Sequence, residues 1–558
     1  MVKRVLSLLH KEITGLHQAA YLLGVFALSS QFLALIRDRI LASTFGASQT
    51  LDIYYAAFRI PDFIFVTVAS LVSISVLIPF LIEKFEKSQE EAKDFINQIF
   101  TFFFLIILST SLIVFFISPY LLKLLFPSFI ESGYFSDLVR LSRILLLSPI
   151  LLGFSNLLGS ITQINSRFFI YAVSPVLYNV GIIIGIIFLY PVFGLPGLAW
   201  GVVLGAIMHF AIQIPFIYQK KLIPKISFPL KGKIISKVVL TSIPRTITVS
   251  SNELAHLFLI SFASFLTVGS ISIFNFSFHL QSVPFSIIGV SYSLAAFPAL
   301  TRLFSSGNIE KFVDQMIVSS RHIIFWSIPI SVLFLVLRAQ IVRTVLGAGE
   351  FGWDDTRLTA AALALFTVSL IGQNLSTLFV RSYYSRGKTR LPLIINIISS
   401  AIIVGGSYLL VYVFNTNDFF RFFIESLLKV SNIEGTVVLM LPLGFSIGIL
   451  INTFIYWFFI NREFKSYSRP VLQTFFQIVG ASTIMGYVSY KFLYVFDDVF
   501  DINTLIGIFL QGFISGLIGI LAAVIVLYLL GSTELREVWT TLHKKIWKAK
   551  VVGPDPEL

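Results

Sequence analysis

The chain has 558 residues, of which 56% are hydrophobic and 12% charged, with a net charge of +13. A soluble protein carries about 25% charged residues, so there is too little polar surface here to cover a water-facing globule, and the expected solvent is the bilayer. The absence of cysteine rules out a disulfide framework, a thiolate metal site and a thiol nucleophile, and the basic excess reads as cytoplasmic loops rather than nucleic-acid binding.

The N-terminus, MVKRVLSLLHKEITGLHQAA, has no convincing signal-peptide cleavage site and reads as a cytoplasmic amphipathic lead-in. A membrane-spanning helix needs about 20 mostly apolar residues. Fourteen segments qualify, near 16–36, 53–82, 95–119, 138–163, 168–190, 196–218, 237–265, 270–301, 312–337, 357–381, 391–414, 435–460, 470–495 and 503–530. The expectation is an all-α polytopic membrane protein. Residues 418–430, DFFRFFIESLLKV, carry charge at helical spacing and read as an interfacial amphipathic helix. The tail LREVWTTLHKKIWKAK reads as another. With the N-terminus inside, 28 of the 41 Lys and Arg fall in cytoplasmic segments, which places both termini in the cytoplasm.

The chain also repeats itself. FGASQTLDIYYAAFRIP aligns with LTVGSISIFNFSFHLQSVP, matching Gly46 to Gly269, Asp52 to Asn275 and Pro61 to Pro284. LIPFL at Pro79 matches AFPAL at Pro298. Ser166-Arg167 matches Ser385-Arg386, and Pro-x-x-x-Asn at 175–179 matches 392–396. The repeat unit holds six helices, and an even count returns the chain to its starting side, so the two copies are parallel. The expected organisation is an N-lobe (1–233), a C-lobe (234–465), two extra helices (466–532) and a basic cytoplasmic tail (533–558). Two like lobes about a cleft suit a transporter that works by alternating access.

Ionisable residues inside a membrane cost roughly 2.5–3.5 kcal/mol on insertion scales and usually face a cavity or a partner. The candidates are Arg59 and Asp62 in the second segment, Arg140 and Arg143 in the fourth, Arg245, Glu253 and His256 in the seventh, and His279 in the eighth. Arg37, Asp38 and Arg39 end the first segment and read equally as an interfacial boundary. The leading pairs of segments in the two lobes are equivalent, so their polar faces are expected to meet. Arg140 and Arg143 read as snorkelling anchors and His209 as a structural histidine. Glu253 and His256, three apart on one face, are placed to bond each other, either as a structural pair or as a substrate or proton site. Arg245 lies roughly 12 Å along the helix from Lys237, deep for snorkelling. No metal-ligand cluster, Gly-rich phosphate loop or nucleophile elbow is present, so neither an enzyme nor a metal protein is expected.

The stretch IRDRILASTFGASQTLDIYYAAFRIPD, with ASFLTVGSIS (263–272), FPALTRLFSSGN (297–308) and YYSRGKTRLP (383–392), resembles the MviN/MurJ family of lipid II flippases, within the multidrug/oligosaccharide-lipid/polysaccharide exporter superfamily. The likeness covers about residues 20–465 and includes Arg37-Asp38, Phe45-Gly46-Ala47, Asp52 and Ala57-Phe58-Arg59-Ile60-Pro61. It implies translocation of undecaprenyl-pyrophosphate-linked peptidoglycan precursor from the inner to the outer leaflet of the bacterial cytoplasmic membrane. It also implies a cationic cavity for the headgroup and a groove on the last two helices for the lipid tail. Arginine suits pyrophosphate because its planar fork binds phosphate oxygens bidentately and stays charged. The resemblance and the intramembrane charges together point to Arg37, Arg59, Arg245 and His279 as anion-facing groups, Arg245 being absent from the family pattern, with Asp38, Asp52, Glu253 and His256 in gating or structural roles. The partners expected are a lipid-linked glycan, membrane lipids and cell-wall synthesis proteins, with no nucleic acid. No cofactor is expected; the coupling ion, H+ or Na+, stays open.

The departures from the family pattern are Gln31, Phe65 and His279 where arginines are expected, and Ser70 where a glutamate is. A histidine is charged only part of the time near neutral pH. These positions leave export of another polyprenyl-linked glycan or amphipathic substrate, or a non-transporting scaffold of the same fold, as alternatives.

Overall fold

Long apolar segments in a bilayer become helices because only a helix satisfies its own backbone polar groups there. The computed structural model describes residues 16–71, 74–165 and 167–547. The lead-in before residue 16, Ser166 of the repeat and the tail past residue 547 lie outside the described residues. In chain order the helices are α1 (Leu16–Phe45), α2 (Gln49–Leu71), α3 (Ile74–Lys87), α4 (Gln89–Leu125), α5 (Phe135–Ile164), α6 (Phe168–Phe193), α7 (Leu195–Gln219), α8 (Gly232–Ala263) and α9 (Ser270–Ser305). They continue as α10 (Ile309–Val336), α11 (Arg338–Leu346), α12 (Trp353–Val368), α13 (Leu370–Ser385), α14 (Arg390–Thr416), α15 (Asp418–Leu428), α16 (Thr436–Glu463), α17 (Ser468–Val495), α18 (Leu505–Leu529) and α19 (Thr533–Trp547).

Every segment expected from hydropathy is helical in its described residues, most of them on a single helix and the tenth, near 357–381, across α12 and α13. The second, near 53–82, lies on α2, which has a turn at Phe58, and on α3, with residues 72–73 between them outside the described residues. Among the described residues, eleven helices are long and apolar enough to cross a membrane, and α12 with α13, bent by 42° at their junction, makes twelve. The first and seventh segments lie on α1 and α8, 30 and 32 residues long, consistent with fourteen spans. The chain is thus an all-α, multi-pass membrane protein. Local sequence sets several helix starts. Ser88, Asn308, Asn417 and Thr504 each accept an N–H from the first turn of the helix they precede, at 3.0–3.1 Å. The amphipathic stretch near 418–430 forms α15, where Phe419, Phe422, Phe423 and Leu427 are exposed.

By packing, the chain divides into two units. The first runs to Leu280 and takes in Val345–Ala362 and Thr389–Gly448; the second holds Gln281–Thr344, Leu363–Lys388 and the chain from Ile449. Within the first unit α1 packs on α6, α6 on α7, and α8 on α2 and α14. The α6–α7 crossing is built from glycine. A methyl group on Gly181 would strike the backbone of Gly205, and one on Gly185 the backbone of Gly201. Small residues four apart let two membrane helices approach closely enough for van der Waals attraction to hold them where no hydrophobic effect operates. Within the second unit α17 packs on α10 and α18. There Arg386 bonds Glu463 at 2.6 Å, and its guanidinium lies over the Tyr383 ring, 4.4 Å from the centroid.

Candidate functional site

The chemistry-bearing residues of the first unit gather where α1, α2, α8 and the start of α9 converge. Asp52, in the first turn of α2, is buried (4% exposed). Its Oδ2 accepts the N–H of Gly269 at 2.7 Å, and its Oδ1 accepts the N–H and the hydroxyl of Ser272 at 2.8 and 2.6 Å. A helix start leaves its first N–H groups without intrahelical partners and carries a partial positive charge; Asp52 supplies both acceptor and counter-charge for α9 from another helix. The matched glycines Gly46 and Gly269 have φ of +61° and +88°, a left-handed backbone that glycine adopts freely. Each also lies against another loop: a Cβ on Gly46 would meet the Glu350 carbonyl, and one on Gly269 the Ala47 carbonyl. Glu350 donates its N–H to the Ser43 carbonyl at 3.0 Å, and Arg39 donates to the Val345 carbonyl at 3.1 Å. The 43–52, 265–272 and 345–355 segments therefore close against one another backbone to backbone.

Further along α1, Arg37 donates from Nε and Nη2 to Asp38 Oδ1 at 3.0 and 2.8 Å, and from Nη1 to Asn179 Oδ1 of α6 at 3.2 Å. Asp38, 2% exposed, uses its other oxygen to accept from Nδ1 of His279 on α9 at 2.9 Å. A carboxylate only accepts, so His279 carries its proton on Nδ1. Its ring meets that of Tyr55 edge-on, centroids 6.0 Å apart. Arg37 and His279 remain partly exposed, at 18% and 30% of the side chain. They are two donors organised by one buried carboxylate.

One turn beyond Tyr55, Arg59 donates from Nε to the Tyr55 carbonyl at 3.1 Å and from Nη1 to Nδ1 of His256 on α8 at 2.7 Å. Asp62 stands 3.6 Å from its Nη2. The expected bond between Glu253 and His256 does not form among the described residues. His256 reaches across to Arg59 instead, because the paired charges of α2 face that side of α8; Glu253 lies within electrostatic range of Asp62.

The side chains of Pro244 and Arg245 lie outside the described residues. Arg143 donates to the Phe115 carbonyl at 3.1 Å and stacks on the Phe115 ring, as a snorkelling anchor does, and Arg140 is exposed. His209 shares its Nδ1 with Ser155 at 2.6 Å, a packing role. Of the departures, Ser70 donates to Thr246 on α8 at 2.7 Å, and Phe65 lines a small cleft with Phe58, Asp62, Leu145 and Ser148. Asn179, whose place in the Pro-x-x-x-Asn repeat was its only signal in the sequence, joins the site through Arg37. Chemically, the arrangement offers donors and fixed cations to an anion. Among the described residues, no three His, Asp or Glu gather in a metal-holding group.

The family model "Lipid II flippase MurJ" matches residues 41–419, two thirds of the chain. The chain belongs to the MurJ family. A probable MurJ lipid II flippase of Buchnera aphidicola subsp. Schizaphis graminum is 29% identical over 382 residues, covering 67% of this chain and 74% of its own. One from Thermotoga maritima is 27% identical over 476 residues, covering 79% and 94%. Among solved structures, a MurJ lipid II flippase in an inward closed conformation superposes with a TM-score of 0.72 at 24% identity, covering 93% of this chain and 100% of that one. An inward-facing MATE multidrug transporter of the MOP superfamily superposes with a TM-score of 0.64 at 16% identity, covering 79% and 96%. These two likenesses establish the fold.

Proposed function

We propose that this chain is a transporter that flips lipid II, the lipid-linked peptidoglycan precursor, from the inner to the outer leaflet by alternating access. Membership of the MurJ family supports the reading, and the observation that carries it is the Arg37–Asp38–His279 cluster. Two donors are held by a carboxylate within membrane helices, where burying charge without a task is costly. Arg37 and His279 face the pyrophosphate; Arg59 and Arg245 complete the anion-facing set. Asp38 and Asp52 hold the helices that carry these groups. The two six-helix lobes, 1–233 and 234–465, are the moving parts, a division supported by the shared left-handed backbone at Gly46 and Gly269.

The protein works in the bacterial cytoplasmic membrane with both termini in the cytoplasm, the side to which the Lys and Arg distribution assigns them. It acts among membrane lipids and alongside the enzymes that make and consume its cargo. A second reading, export of another polyprenyl-linked glycan, is favoured by the uncharged Gln31, Phe65 and Ser70 at positions where the family pattern carries charge.

The test is flipping in proteoliposomes of fluorescent lipid II against other undecaprenyl-pyrophosphate-linked glycans. Lipid II flipping that is lost in Arg37→Ala supports the proposal. Flipping of a different glycan alone transfers it to the second reading. Flipping of neither substrate favours a non-transporting scaffold.

A further inference from the structure

Guanidinium groups donate and never accept, so the 2.7 Å contact between Arg59 Nη1 and His256 Nδ1 fixes the histidine's protonation. Nδ1 bears a lone pair, the ring is neutral, and its proton sits on Nε2, which is buried and has no hydrogen-bond partner among the described residues. A proton on Nδ1 would remove the acceptor and set two cations 2.7 Å apart. The bond to Arg59 and the protonation of His256 therefore exclude each other.

The charged groups around this contact bias the exchange. On α2 stand Arg59 and Asp62, on α8 Glu253, and on α9 His279, which is itself held by Asp38. The charged residues of the other helices against α8 lie near helix ends: Glu83, Lys84, Glu86 and Lys87 on α3, Glu90, Glu91, Lys93, Asp94 and Lys123 on α4, and Arg390 on α14. Counted formally, Arg59, Asp62, Glu253 and a neutral His256 sum to one negative charge, and a proton on His256 brings the sum to zero. The Phe274 and Phe278 rings, at centroid distances of 5.5 and 4.8 Å from the His256 ring, suit an imidazolium by cation–π attraction. Asp62, 41% exposed, lines the cleft beside Phe65 and so gives the group a polar edge.

We propose that His256 is a proton-binding site whose occupancy releases Arg59: a proton taken up at Nδ1 replaces the Arg59 hydrogen bond, and the freed guanidinium turns to Asp62 and to the anionic headgroup of the cargo. No bond other than the hydrogen bond breaks, and Arg59 keeps all its protons. This rests on the transport reading for its cargo and names H+ as the coupling ion.

Two measurements on the full-length protein in nanodiscs test it. The first needs no cargo. ¹⁵N spectra of the histidine-labelled chain, which has seven histidines, are compared with those of His256→Gln to assign His256. Nδ1 should be unprotonated at pH 8 and gain a proton by pH 5.5. A proton on Nδ1 throughout, or none anywhere in that range, overturns the proposal. The second is binding of undecaprenyl pyrophosphate across the same range. Any pH response common to both proteins cancels, so the difference between them isolates His256. The wild type should gain roughly tenfold more affinity on acidification than His256→Gln, the worth of one added contact from a charged donor; equal gains overturn it. If the pyrophosphate lipid binds to neither protein, the transport reading fails while the spectra still decide the proton site.

Discussion

Asp52 of α2 binds the first turn of α9 through Ser272, which gives it both its N–H and its hydroxyl, at 2.8 and 2.6 Å. With Gly269 as third donor, one carboxylate ties together two helices that sequence repetition makes equivalent, at the point where three loops close on each other.

Removing that carboxylate strands buried donors. Asp52→Ala should cost about 3 kcal/mol, the loss of hydrogen bonds to a charged acceptor, and Asp52→Asn, which keeps one acceptor oxygen, clearly less. Thermal unfolding of the purified variants in detergent gives the order. Equal melting temperatures for Asp52→Ala and wild type would rule out this role.

The closed loops depend on glycine. Gly269→Val places a branched side chain at φ +88°, costing roughly 1–2 kcal/mol for the left-handed backbone, and drives it into Ala47. Because the chain has no cysteine, a single reporter cysteine at Ser48 can be labelled without background. Its maleimide labelling in vesicles should be faster in the Gly269→Val background, and an unchanged rate would mean the loops do not seal.

At the candidate site, Asp38 orients both donors. Asp38→Ala leaves Arg37 without its counter-charge and His279 without its acceptor, so binding of a pyrophosphate lipid should fall by at least tenfold, about 1.4 kcal/mol. His279→Arg supplies a permanently charged donor with Asp38 already in place to pair it, and should bind more tightly than wild type above pH 7. Titration in nanodiscs separates the three proteins; affinity in His279→Arg below wild type would count against an anion site there.

Outside the membrane, α19 is docked by Glu534, which accepts from Arg321 at 2.7 Å, Thr474 at 3.0 Å and Ser532 at 2.9 Å. Burial alone pushes this carboxyl up, but its backbone N–H, Ser532, the Arg321 charge and Thr474 together hold it below its ordinary value of 4.5. A group lowered in the folded state stabilises above its unfolded pKa and loses that contribution as pH falls through the folded one. Amide exchange in residues 533–540 should therefore be slow at pH 7 and accelerate, after correction for intrinsic rates, below about pH 4.5. Glu534→Gln should exchange fast throughout. A pH-independent wild type would remove Glu534 as the docking group.

Much of the architecture was legible because the bilayer imposes one rule on the backbone: a run of some 20 apolar residues must form a helix. Hydropathy does not register the turn at Phe58 within the second segment. The pairing of Glu253 with His256 was misjudged for a related reason. Spacing on one helix reports which side chains can meet, and the nearer partner, Arg59, lies 197 positions away in sequence. Asn179 carried a signal in the repeat, yet its role depends on α6 lying against α1.

By itself, the sequence determined that this is a multi-pass helical membrane protein with an internal repeat and the Arg37-Asp38 and Asp52 marks of its family, since hydropathy, charge and motif are properties of neighbouring residues. Tertiary structure alone decided that Asp38 is shared by Arg37 and His279, that Asp52 caps a helix on the far side of a repeat, and that Arg59 occupies the lone pair of His256. The bonds of His279, Ser272 and His256 join residues 197 to 241 positions apart, and a directional bond exists only once packing has brought donor and acceptor within about 3 Å.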